Sequence, residues 1–200
     1  MHVGGKTLKA PAAVVLGYNR PAFLERTLRS LVKVEGAEQM DLFVSLDGKD
    51  PATTAVAKGN EFAAAGIEVV HHPRLALAAA GTVHLAAHYK WILDKLFFER
   101  GYAHVILLED DMEFAPDLFA YFAATAELLA RDETIWCISS WNDNGFKELA
   151  TDPRVLFRSS HFPGLGWMLS ADLWRELSPK WPANHWDHWM RLYSTSRGRE

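Results

Sequence analysis

Short apolar runs alternate with helix-period segments through the first two-thirds of this 200-residue chain. That alternation predicts an α/β fold, with a mostly parallel sheet flanked by helices. Ala12 to Gly17 reads as a buried strand. Pro21 then opens a helix that carries Leu24, Leu28 and Leu31 on one face. Asp41 to Leu46 is a second strand, stopped by the turn pair Asp47-Gly48. The Ala-rich stretch from Pro51 to Ala65 is predicted helical, and Ile67 to His71 gives a third strand. Thr82 to Arg100 is the clearest helix, because Leu85, Tyr89, Ile92 and Leu96 recur at spacings of four, three and four. Val105 to Leu108 is a fourth strand that runs straight into Glu109-Asp110-Asp111. Pro116 opens another helix with Leu118, Phe122 and Leu129 facing inward, and Ile135 to Ser139 is a fifth strand.

The texture changes after Trp141. Asn142 to Gly145 is a turn, and Val155 to Arg158 and Trp167 to Leu169 read as short strands. Five of the eight tryptophans fall between Trp167 and Trp189, which marks a soft boundary near residue 141. Residues 1–10 read as an N-terminal extension and 11–200 as one domain. The 49% hydrophobic and 23% charged content allows a sizeable core and shows no disorder signature. A formal net charge of −4 argues against nucleic acid or anionic lipid as a partner. No stretch approaches the ~20 apolar residues of a membrane span, and the start lacks the apolar region of a signal peptide. The single cysteine, Cys137, cannot form an internal disulfide and reads as a small buried hydrophobe.

VILLEDD delivers three carboxylates where a buried strand emerges. Ligands of open α/β sheets bind outside the carboxyl ends of the strands. Like charges this close repel, and a hard divalent cation relieves the conflict, with water and substrate phosphates completing its shell. A solvated acidic turn fits the same residues. A phosphate-loop nucleotidase would need G-x-x-x-x-G-K-[ST], which is absent. Asp47, at another strand end, is either a nucleobase acceptor or an ordinary Asp-Gly turn. Arg20 precedes a helix start, where an anion is also favoured; a surface arginine fits as well. His84 and His88 lie one helical turn apart with no third metal ligand apparent.

The segment from Pro163 to Trp167, PGLGW, pairs close backbone approach with an indole that can pack on a sugar ring, or it is a tight turn beside a core tryptophan. In PKWPANHWDHWMR, Asp187 sits between Trp186 and His188. An apolar aromatic setting raises a carboxylate pKa and suits it to general-base work, although from these residues alone a helix cap or surface acid is the plainer reading.

HYKWILDKLF, VILLEDDMEFAPDLFAYF, WCISSWNDNG, FPGLGWMLSADLWRELSPKWP and WDHWMR, in that order, resemble the N-acetylglucosaminyltransferase I family, including the related protein O-linked-mannose enzyme. The resemblance runs from about Ala12 to the C-terminus. It implies a GT-A (Rossmann-like) fold and inverting transfer of N-acetylglucosamine from UDP-N-acetylglucosamine to a mannose-containing glycan, with Mn²⁺, or Mg²⁺ in its place. It divides the domain into a nucleotide-sugar half, 11–141, and an acceptor-side half, 142–200. Asp111 matches the carboxylate on the metal, while Glu109 and Asp110 match residues near the donor sugar and ribose. Asp47 matches the uracil contact, His88 a nucleotide contact and Arg20 a donor-side arginine. Leu165 and Trp186 match positions lining the sugar and acceptor region, and Asp187 matches the catalytic base.

The sequence departs from the family in three ways. His188 stands where the family has a second acid. The family's membrane anchor and stem have no counterpart within these 200 residues. Family members continue beyond the position of Glu200 through a cysteine that can pair with the counterpart of Cys137, then a donor-covering loop. The resemblance implies the Golgi lumen for a eukaryotic parent, whereas the anchorless start and single cysteine suit a soluble cytoplasmic relative. Two other readings stay open: a sugar-nucleotide or glycan-binding module without turnover, and a family-2-type polysaccharide synthase domain, against which GLGW and WDHW count.

Overall fold

Strand residues project alternately to opposite faces, and here both faces are apolar, so helices must cover both sides. The computed structural model describes residues 2–3, 6–7, 11–74, 79–152 and 154–200. Most of the N-terminal extension expected over residues 1–10 lies outside them. Two short pieces near the N-terminus, β1 (His2–Val3) and β2 (Lys6–Thr7), pair antiparallel. The main sheet holds β3 (Ala12–Gly17), β4 (Asp41–Asp47), β5 (Glu68–His72), β6 (His104–Glu109), β7 (Ile138–Ser139) and β8 (Trp167–Ser170). Their spatial order is β5-β4-β3-β6-β8-β7. The first four neighbours run parallel, and β8 runs antiparallel to both β6 and β7.

One face of the sheet packs Ala13, Val15, Val44, Ile106 and Leu108 against α1 (Pro21–Leu31), whose Leu24, Leu28 and Leu31 are fully buried. Each such leucine contributes about 2 kcal/mol of transfer free energy. The other face packs Val14, Leu16, Val105, Leu107 and Trp167 against the long central helix and the tryptophan-rich C-terminal region. Because β8 lies between β6 and β7, one sheet spans residues on both sides of position 141.

Several elements differ from the sequence expectation for local reasons. Pro51 to Ala65 is two helices, α2 (Pro51–Ala57) and α3 (Asn60–Ala64), broken at Lys58-Gly59. Asp50 caps α2 by accepting the Thr53 N–H at 2.8 Å. The central helix α4 (Gly81–Asp94) passes into a π-helical turn over Lys95–Glu99, and Gly101, at φ +76°, ends it. Within α4 the apolar periodicity misassigns Leu85, which is 43% exposed, while His84 and His88 are buried. The helix expected after Pro116 is split into α5 (Leu118–Thr125) and α6 (Leu128–Arg131). The strand expected at Ile135 shrinks to Ile138–Ser139. Val155 to Arg158 forms no strand: Val155, Leu156 and Phe157 are exposed, and among the described residues no ladder partner meets them. The remaining helices, α7 (Ala171–Leu177), α8 (Trp186–Arg191) and α9 (Tyr193–Ser196), follow β8. Cys137 packs against the core, and burial pushes its thiol up to about 12, far from reactive.

Gly166 carries the tightest turn into β8. Its φ is +48°, its carbonyl accepts from Ser140 N at 2.8 Å and from Ser140 Oγ at 2.9 Å, and a Cβ there would collide with Ser140 Oγ and crowd Met112. Gly101 has φ +76° with open space around it. Gly101→Ala therefore costs roughly 1–2 kcal/mol for the left-handed backbone alone. Gly166→Ala costs clearly more, because collision adds to it. Urea unfolding of the two variants side by side checks this, and equal losses would contradict it.

Candidate active site

Parallel strands bring their carboxyl ends to one edge, and register decides which residues meet there. Asp47 lies opposite His72, Gly17 opposite Leu46, and Leu16 opposite Glu109. Above this edge is a cavity of about 300 Å³. Arg20, Asp47, His88, Glu109 and Asp110, all singled out from sequence, line it together. Gly17 forms its floor, where a Cβ would press on Leu46 and Asp110.

The acids after β6 are held individually. Thr27 Oγ1 donates to the carbonyls of Asp110 and Met112, each at 2.8 Å, and so fixes the turn. Tyr89 OH donates to Glu109 Oε1 at 2.9 Å. Arg20, the N-cap residue of α1, pairs with Asp110 and reaches Asp111 Oδ2 at 2.9 Å. Burial raises the Glu109 pKa; the Tyr89 hydrogen bond opposes it, while Asp111 and Asp110 add repulsion. Burial also raises the Asp110 pKa, against the pull of Arg20. Two carboxylates are thus costly as anions in this cavity, which is the condition a cation relieves.

Asp47 behaves oppositely. Burial works against its charge, but the His72 hydrogen bond and the Arg74 guanidinium prevail and hold its pKa below the usual carboxylate range. Its Oδ1 accepts from His72 Nδ1 at 2.8 Å, and its Oδ2 pairs with Arg74. His88 Nε2 meets Ser45 Oγ at 2.7 Å. Burial drives the His88 pKa down to about 3, so the ring is neutral near pH 7.

Leu165, Trp186 and Asp187 stand apart from the cavity lining, as does Asp111, which Arg20 ties to it. Trp186 opens α8 and is buried, its ring 4.2 Å from that of Tyr89. It stacks between Trp167 and Trp181 at 5.8 and 5.7 Å. Its indole N–H has no acceptor among the described residues. Asp187 was expected in an apolar aromatic setting. The burial falls instead on Trp186, and the Asp187 carboxylate is 45% exposed and paired with Arg191 Nη1 at 3.1 Å. Arg191 is anchored by donating to the Phe162 carbonyl at 3.0 Å. Burial and then Glu109 raise the Tyr89 hydroxyl's pKa well above its ordinary value, and the Asp187 charge adds to that rise. His185, before α8, adopts φ +45°, a left-handed conformation that costs a non-glycine residue roughly 1–2 kcal/mol. The Leu165 carbonyl accepts from Ser139 Oγ at 2.9 Å.

Among the described residues no three His, Cys, Asp or Glu side chains converge on one point. The acids at 109–111 therefore fit an ion held through one or two carboxylates and completed by phosphates and water, not a cage made wholly of protein. His84 and His88 do not form a metal pair, since His88 engages Ser45. Sequence reasoning missed His72, Arg74, Tyr18 and Tyr89. The doubled histidine at the end of β5 was the available signal, and Tyr89 was masked by its fit to the apolar stripe.

A parallel sheet with acids at its carboxyl edge and an antiparallel strand beside them defines a GT-A nucleotide-diphospho-sugar transferase fold. Mannosyltransferase PcManGT from Pyrobaculum calidifontis, solved with GDP-Man and Mn²⁺, superposes with a TM-score of 0.54 at 15% identity, over 83% of this chain and 46% of that one. S. aureus TarS 1–349 in complex with UDP-GlcNAc superposes with a TM-score of 0.50 at 11% identity, over 82% and 47%. The chain belongs to the GNT-I family, whose profile matches residues 2–200. It is 42% identical over 205 aligned positions to the alpha-1,3-mannosyl-glycoprotein 2-beta-N-acetylglucosaminyltransferase of Arabidopsis thaliana, covering 98% of this chain and 45% of that relative. The chain thus spans less than half the length of the curated relative.

A neutral buried histidine makes stability depend on pH. His88 has a folded pKa of about 3 against an ordinary value of about 6.5. The unfolded chain binds the extra proton between these values, so the contribution is complete above about 6.5 and is lost as pH falls toward 3. Between pH 7 and pH 5 this site removes about 2 kcal/mol. Urea unfolding at both pH values should show a smaller loss in His88→Gln, and an identical pH slope would contradict the assignment.

Proposed function

We propose that this chain carries the donor site and the catalytic base of an inverting N-acetylglucosaminyltransferase that uses UDP-N-acetylglucosamine and a mannose-containing glycan acceptor. One observation carries the reading: a single cavity joins a hydrogen-bonded carboxylate, Asp47, at one end to crowded acids, Glu109 and Asp110, at the other. A nucleoside diphosphate needs those two environments, one for its base and one for its charge. The Arabidopsis relative's name and the UDP-GlcNAc bound by TarS support the donor. The Mn²⁺ in PcManGT supports a divalent ion.

In this reading residues 11–141 bind the donor and 142–200 serve the acceptor. Asp47 and His88 contact the nucleotide base end, and Glu109 and Asp110 lie near ribose and sugar. Asp111 would hold the ion, which when bound neutralises charge on the diphosphate. Arg20 is positioned to release the acids to that ion and to face the phosphates. Leu165 and Trp186 serve the sugar and acceptor region, where Trp186, buried and stacked between Trp167 and Trp181, backs the wall beneath α8.

Asp187 is half-exposed, so an acceptor hydroxyl can reach it. Its carboxylate takes the hydroxyl proton as the oxygen bonds to the anomeric carbon. The bond from that carbon to the diphosphate oxygen breaks, UDP departs with the electron pair, and the configuration inverts. One carboxylate suffices, because the leaving group needs no proton. Arg191, itself tied to the Phe162 carbonyl, pairs with Asp187 and steadies it. We infer the Golgi lumen as the setting of such an enzyme in a eukaryotic parent; among the described residues no helix is long and apolar enough to cross a membrane.

Asp187→Asn should lower transfer by roughly 10³-fold or more, within the range for removing a proton acceptor, and leave Mn²⁺-dependent UDP binding within about twofold. Transfer counted with radiolabelled donor and a mannoside acceptor, alongside calorimetric UDP titration, checks both arms; full activity in the variant removes Asp187 from the role. Asp111→Ala should abolish the Mn²⁺ dependence of UDP binding. Unchanged Mn²⁺-dependent affinity would sink the metal assignment. Wild-type chain that binds UDP without transfer or hydrolysis would support the binding-module reading instead.

A further inference from the structure

Asp47 is clamped from the neighbouring strand in a way no other acid of the cavity is. His72 stands opposite it in the β4–β5 register and reaches Oδ1 at 2.8 Å, while Arg74, two residues further on, takes Oδ2. Both clamp groups are themselves fixed. The His72 ring stacks on His88 at 5.3 Å and 12°, and touches Trp91 at 5.4 Å. His88 is pinned by Ser45. The Arg74 guanidinium lies 4.1 Å over the Tyr18 ring. The Arg74 N–H donates to the His72 carbonyl at 2.7 Å, which tightens the turn joining them.

A carboxylate that accepts from both sides is kept ionised and unable to rotate, so it offers acceptors only. Arg74 offers donors only, and uses part of its five N–H groups on Asp47. Uracil presents N3–H beside a C4 carbonyl. Cytosine presents an N3 lone pair beside a C4 amino group. An acceptor next to a donor therefore matches uracil and meets cytosine with like against like at both positions. With the diphosphate anchored through the ion that the acids would hold, the ring cannot slide by one atom to restore the pairing.

We propose that His72 and Arg74 are the specificity-determining residues that make this cavity select a uracil over a cytosine nucleotide. His72 is a positioning residue acting through Asp47, and Arg74 reads the base carbonyl directly. The proposal rests on the nucleotide-donor reading of the cavity. Without the His72 donor, the buried carboxyl can turn or carry a proton and then accept either base.

The test is the ratio of CDP to UDP dissociation constants, measured by calorimetry with Mn²⁺ on the full chain. A ratio does not depend on the fraction of active protein, so partial loss of folding leaves it readable. Wild type should favour UDP by about a hundredfold, as expected where buried polar groups meet the wrong partner. His72→Leu and Arg74→Met should each bring the ratio down about tenfold, chiefly through weaker UDP binding. His72→Asn, which restores an N–H near the ring nitrogen's position, should recover most of it. If His72→Leu does not fold, Arg74→Met, altering a partly exposed side chain, carries the test alone. UDP binding with an unchanged ratio in the variants overturns the clamp and leaves the donor reading standing. Wild type that binds UDP and CDP equally does the same. Wild type that binds neither overturns both.

Discussion

Four carboxylates collected at one edge of a buried sheet repel one another, and the fold answers by giving every one a partner. Asp47 has His72 and Arg74, Glu109 has Tyr89, and Asp110 and Asp111 share Arg20. The partners come from β5, α4 and the start of α1, so three elements must dock correctly before the charges are balanced. The balance is uneven. Asp47 is left comfortable as an anion, whereas Glu109 and Asp110 are not. That contrast separates a place that recognises hydrogen-bond patterns from a place that welcomes positive charge, within about 300 Å³.

The sheet and the acids were legible in the sequence because their signals are local. A buried strand that ends in charge, as in VILLEDD, says where the strand stops and which way it points. Leu24, Leu28 and Leu31 announce their helix face in the same manner. The partners were less legible because they come from elsewhere in the chain. His72 matters through register with Asp47, 72 − 47 = 25 residues away, and nothing local to either residue announces that pairing. Tyr89 satisfied an apolar periodicity and so hid a hydroxyl that serves Glu109. Leu85 fitted the same periodicity and yet faces the cavity, since in a helix beside a ligand site the apolar stripe extends past the core.

Asp187 teaches a related lesson. Neighbouring tryptophans suggested an apolar shelter, but on a helix adjacent residues face about 100° apart. Trp186 therefore takes the interior and turns Asp187 toward solvent. The arginine one helical turn later then becomes its partner, which the sequence spacing of four already allowed. Val155 to Arg158 shows the limit of apolar composition as a strand signal. Among the described residues the segment pairs with no strand, and its apolar residues remain exposed.

The proposed base sits on a helix of only six residues, introduced by a left-handed His185 and held by Trp186 wedged among other rings. A helix so short has little stability of its own; its aim is borrowed from the aromatic packing beneath it. The nucleotide end, by contrast, is written into strand register. In the proposed assignment the two ends are therefore separable over evolutionary time. Changes around α8 could redirect which hydroxyl is modified while the sheet edge goes on drawing the sugar from the same nucleotide.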